Sequence, residues 1–112
     1  MNYRSKGTYI MTTTTNTYVN TVIMQVDQDI HCAYKMLSKL ELTNEEIEFY
    51  LVKFVNNIKK EAKNSLDNIM SNNALINRNV THTDVLKEYY NAIINRCDQV
   101  LNDSNYIRSI VY

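Results

Sequence analysis

Apolar residues recur along this chain in steps of three and four. From Val19 to Leu40 they fall at Val19, Ile23, Val26, Ile30, Ala33, Leu37 and Leu40. The rhythm returns at Leu86, Tyr90, Ile93, Cys97 and Val100, and more loosely at Ile47, Leu51, Phe54, Ile58, Ala62, Leu66 and Ile69. Such steps place residues on one face of a helix, so each segment predicts an amphipathic helix whose apolar stripe needs a partner. In the middle segment Val55 widens the stripe beside Phe54, which suits burial against more than one neighbour.

A strand template also runs through Tyr18, Val22, Met24 and Val26, but Asn20 breaks its alternation, whereas the helical template is filled as far as Leu40. Residues 1–16 read as a flexible tail. Thr12 to Thr15 is a low-complexity run of β-branched residues, which lose rotamer freedom in a helix, and Met11 offers an alternative start. The second helix carries the sharpest local signal. In Thr43-Asn44-Glu45-Glu46 the Thr43 hydroxyl is placed to accept from the Glu46 amide while the Glu46 carboxylate reaches back to the Thr43 amide. Leu42 and Ile47 flank this capping box as a hydrophobic staple, and the three nearby glutamates complement the positive end of the helix dipole.

That helix is expected to run to about Asn72, followed by a polar connection over 73–82 holding the apolar knot Ala74-Leu75-Ile76. Thr81 or Thr83 is the expected cap of the third helix, with Asp84 in its first turn. The stripe then runs to Val100 or Leu101. Asn102-Asp103-Ser104-Asn105 should break it, leaving Tyr106 to Val111 as a last turn or a docked arm.

Composition agrees with helices. The 112 residues are 45% hydrophobic, enough for one domain with a modest core. There is no proline and one glycine, Gly7, which argues against sandwiches and barrels, whose hairpins use both. Asn72, Asn73, Asn77 and Asn79 supply turn-forming residues instead. The expected architecture is an all-α, three-helix (or four-helix) bundle over residues 17–112 behind the tail. Seams this regular leave surplus apolar surface, so a homodimer through the first or third helix is expected.

Twelve basic and twelve acidic side chains cancel, which weakens a nucleic-acid reading without removing a local patch. No window approaches a membrane span and no secretory leader pattern appears, so a cytoplasmic protein without a membrane partner is expected. The richness in Asn, Ile, Tyr and Lys matches AT-rich coding, as in low-GC bacteria, their phages and large DNA viruses.

Four features carry candidate chemistry. Lys53, Lys59, Lys60 and Lys63 fall within about a third of the circumference of the second helix, a face suited to phosphate, nucleotide, nucleic acid or an acidic partner, diluted by Glu61 and Asp67. Cys32, Cys97, His31 and His82 lack ligand spacing, so neither a metal nor a cofactor is expected. Cys97 lies in the apolar seam as a small hydrophobe, and Cys32 points away from it.

Arg78-Asn79-Val80-Thr81-His82 resembles the arginine–histidine signature of HEPN-type ribonucleases, helical dimers that cut RNA without metal. The resemblance implies that Arg78 holds the scissile phosphate and His82 moves the proton of the 2′-hydroxyl. The chain departs from that pattern: three residues separate the two, where the family has four to six, which turns His82 by about 100° on a helix. Lastly, Tyr106 and Tyr112 are interface candidates, because tyrosine is large, stiff and amphipathic.

No residue set spells out a catalytic constellation. The expected function is a small non-enzymatic interaction protein, of phage or viral type, that binds and modulates a partner protein. The alternatives are the HEPN-like nuclease and a nucleic-acid or nucleotide binder acting through the lysine face.

Overall fold

The computed structural model describes residues 2–76 and 80–112, with side chains from 19 to 71 and from 84 to 112. Its elements are four helices: α1 (Asn2–Ser38), α2 (Asn44–Ile76), α3 (Val80–Asn102) and α4 (Ser104–Val111). No strand occurs among the described residues.

Helical backbone reaches further than the spacing predicts. α1 begins at Asn2 and runs through residues 2–16 of the segment expected as a tail; the side chains of those residues lie outside the described ones. α2 continues past Asn72 through the Ala74-Leu75-Ile76 knot, and α3 starts at Val80, ahead of both expected caps, Thr81 and Thr83. Propensity penalties of roughly half a kcal/mol for a Thr or Asn are too weak to stop a helix where no proline interrupts the amide ladder. Only residues 77–79 separate α2 from α3.

The turn between α1 and α2 is fixed by local bonds. The amides of Lys39 and Leu40 donate to the carbonyls of Met36 (3.3 Å) and Leu37 (3.0 Å), and the Leu42 amide donates to the Leu40 carbonyl (2.9 Å). Leu40 therefore sits in the turn and is 58% exposed, instead of closing the helix-one seam. The capping box forms as expected: the Thr43 amide donates to Glu46 Oε1 at 2.9 Å, and the Glu46 amide to Thr43 Oγ1 at 3.1 Å. Leu42 and Ile47 pack on the same core, as a staple requires.

Only Asp103 breaks the helix between α3 and α4. Its extended backbone lets the carboxylate accept from the Asn105 amide at 3.0 Å, capping α4 at Ser104. The expected last turn is thus an eight-residue helix, closed where the Tyr112 amide donates to the Arg108 carbonyl.

One core gathers all four helices. Val26 and Ile30 from α1, Ile47, Leu51 and Val55 from α2, Cys97 and Val100 from α3, and Ile107 and Val111 from α4 are buried together. The seams differ slightly from the expected registers. Val22 is buried where Val19 and Ile23 are half-exposed, and Val55 rather than Phe54 is the fully buried residue. This core lies toward the C-terminal ends of α1 and α3 and the N-terminal half of α2, where α4 closes it. The molecule measures 55 × 44 × 22 Å, so it is about two helix diameters thick.

Candidate interaction surface

Polar side chains that hold the helices together are immediate neighbours of core residues, one step of about 100° round the helix from burial. Asp27 follows Val26, Arg96 precedes Cys97 and Tyr106 precedes Ile107. Arg96 donates from Nε and Nη2 to the two carboxylate oxygens of Asp27, at 2.9 and 3.0 Å, and from Nη1 to Gln99 Oε1 at 3.0 Å. The Tyr106 hydroxyl donates to Asp27 Oδ1 at 3.1 Å, and its ring lies 5.3 Å from the guanidinium carbon. A fork-to-fork pair of this kind is strong because two charge-assisted bonds share one geometry. The bond to Asp27 raises the Arg96 pKa, while burial, then the bond to Asp27, raises that of Tyr106. Arg96 is permanently cationic, so this cluster acts as a clasp of α1, α3 and α4, and it absorbs Tyr106.

The lysine face divides. Lys59 turns toward α3 and pairs with Asp98, half-buried. Lys60 and Lys63 are exposed. Lys53, also exposed, lies over the Phe49 ring with its ammonium 4.9 Å from the ring centre. The four cations expected to act together therefore have three different settings.

Phe49 carries no mark in the apolar spacing of α2. It falls outside the apolar stripe, two positions after Ile47, and is 55% exposed with Tyr50 edge-on to it at 5.5 Å. The available signal was a large aromatic in the first two turns of α2, on the acidic side instead of the core side. Tyr112 is 66% exposed, and with Phe49 and Val52 it lines an open groove of about 520 Å³ between α2 and α4. Glu45, Glu48 and Arg108 edge the groove, with Arg108 Nε 3.5 Å from Glu48 Oε2. Slight desolvation, then the Glu48 and Glu45 carboxylates, hold the Tyr112 phenol above its ordinary pKa. At neutral pH it is a hydroxyl beside carboxylates, able to donate.

The remaining candidates are placed as follows. Cys97 is buried in the core and Cys32 is exposed on α1, both as free thiols. Burial pushes the Cys97 thiol up to about 11, which leaves it protonated and unreactive. No group of three or more His, Cys, Asp or Glu able to hold a metal occurs among the described residues. Arg78 and the His82 side chain lie outside the described residues, and so does their mutual geometry. No helix is long and apolar enough to cross a membrane among the described residues. No family model, no curated protein and no solved structure matches the chain.

Proposed function

We propose that this is a small non-enzymatic interaction protein of the cytoplasm, acting by binding a protein chain through the α2–α4 face. The observation that carries this reading is the exposure of Phe49 and Tyr112 on the two walls of one groove. Stable interfaces commonly place aromatic anchors at a desolvated centre and charged residues at a rim. Here Phe49, Val52 and Tyr112 supply the centre, and Glu45, Glu48 and Arg108 supply the rim. Groove recognition of an amphipathic helix uses such a layout.

The test is a site-specific photo-crosslinker at Val52, in the full chain, expressed in its native source. A protein adduct should form and should be lost in Phe49→Ala and Tyr112→Ala variants that keep the wild-type circular dichroism. An adduct insensitive to both substitutions would overturn the reading.

A further inference from the structure

Along α2 the exposed residues Glu45, Phe49 and Lys53 follow one another in steps of four. At 100° and 1.5 Å per residue, Glu45 and Lys53 lie about 40° to either side of Phe49 and about 6 Å before and after it. The three form a short stripe, acidic at one end and basic at the other, with an aromatic ring at its midpoint. Such a stripe is complementary to itself when reversed.

From this we propose that the occupant of the α2 face is a second copy of the chain, docked antiparallel with the two Phe49 rings at the two-fold axis. The inference rests on the reading of this face as a protein-binding surface and names its partner. In a two-fold contact a residue four before the axis meets the residue four after it in the other copy. Glu45 then faces the partner's Lys53, and Lys53 faces the partner's Glu45, so one symmetric contact makes two ion pairs. Neither residue makes an ion pair in its own chain among the described residues. Lys53 is already held at the edge of the stripe by the Phe49 ring.

Two registers shifted toward the C-terminal end of α2 do worse. An axis at Lys53 sets two ammonium groups against each other. An axis between Val52 and Lys53 pairs Glu45 with the partner's Lys60 but sets Phe49 on Asn56, forfeiting the aromatic centre. Charge pairs of opposite sense are also what fixes register and orientation in helix–helix contacts.

Sedimentation equilibrium on the full chain, at up to about 100 μM, tests this. Wild type should dimerise. Glu45→Lys alone and Lys53→Glu alone should each weaken self-association about tenfold or more, since each turns two attractions into two repulsions. An equimolar mixture of the two variants should recover wild-type association. The chain carrying Glu45→Lys then presents a lysine at both ends of its stripe, and the chain carrying Lys53→Glu meets them with a glutamate at both ends. The double exchange within one chain should recover association too, and neither recovery is open to a misfolded variant. A wild type that stays monomeric, a single variant that dimerises like wild type, or a mixture that fails to recover would each overturn the second copy as occupant. A monomer that still gives a Phe49-dependent adduct with a different protein leaves the binding face standing and removes only the second copy. Loss of both removes both.

Discussion

Arg96 grips both carboxylate oxygens of Asp27 across 69 residues of chain, at 2.9 and 3.0 Å. The contact joins α1 to α3, and the Tyr106 hydroxyl on the same Asp27 oxygen adds α4. Both ends of the pair are more than two-thirds buried, so solvent screens it less than a typical surface pair. Asp27→Ala leaves the guanidinium without its carboxylate and should cost about 1–3 kcal/mol in urea unfolding. A double-mutant cycle with Arg96→Ala should return a coupling of about 1 kcal/mol. Tyr106→Phe should cost less, about 0.5–1.5 kcal/mol, because it removes one bond and keeps the ring. Additive single substitutions would mean that the pair contributes nothing to the fold.

The capping box makes a second prediction. Thr43→Ala should lower stability by about 1 kcal/mol, and Glu46→Ala by somewhat less, measured by thermal unfolding of each variant. The double variant should cost less than the sum, since each side chain caps the other's amide. A strictly additive pair would show that the two bonds form independently.

That box was legible in sequence because all its atoms lie within four consecutive residues. The helical seams were legible for a similar reason: a period of three and four is local. What the sequence could not show was how three seams rotate against one another. Val22 is buried ahead of Ile23, and Val55 ahead of Phe54, because α1 and α3 share the α2 surface, and only the assembled packing decides which shoulder of a wide stripe lies deepest. α1 also stops two residues before Leu40, in a turn held by i to i+3 bonds that no spacing announces.

The same difference yields a third prediction. Leu51→Ala, at a position with no exposure, should cost about 2–5 kcal/mol. Leu40→Ala should stay within about 0.5 kcal/mol of wild type, although both residues occupy seam positions by period alone. Chemical denaturation of the two variants distinguishes the turn from the seam; a large loss at Leu40 would place it in the core.

The candidate surface was less readable than the fold. Tyr106 and Tyr112 belong to one short segment and look alike in sequence, yet one closes on Asp27 and the other lines the groove. The difference follows from α4: Tyr106 immediately precedes buried Ile107, whereas Tyr112 lies one position past buried Val111, at the helix cap. Lys59 and Lys60 are split in the same way, one paired with Asp98 and the other exposed. Ion pairs between distant segments leave no local mark, so helical spacing alone sets all four lysines on one face.

Cys97 gives the last prediction, through pH. Its thiol ionises at an ordinary value of 9.0 when exposed, and burial among Ile and Val side chains, with Asp98 adding to it, raises that to about 11 in the folded protein. Above pH 9 the unfolded chain gives up this proton while the folded chain keeps it, so the folded state binds more protons and stability falls as pH rises. The contribution is whole below pH 9 and is lost by about pH 11, and two pH units correspond to about 2–3 kcal/mol. Tyr106, its pKa also raised by burial, adds a loss of the same sign starting near its ordinary value of 10. Cys97→Ala will be less stable than wild type at neutral pH, because it opens a cavity in the core. Its stability should nevertheless fall less steeply between pH 9 and 11, so the two urea-midpoint curves converge as pH rises. Parallel curves would show that the thiol is not withheld from ionisation. A thiol reagent at pH 8 gives the kinetic counterpart: Cys32 should react at once, and Cys97 only as the protein unfolds.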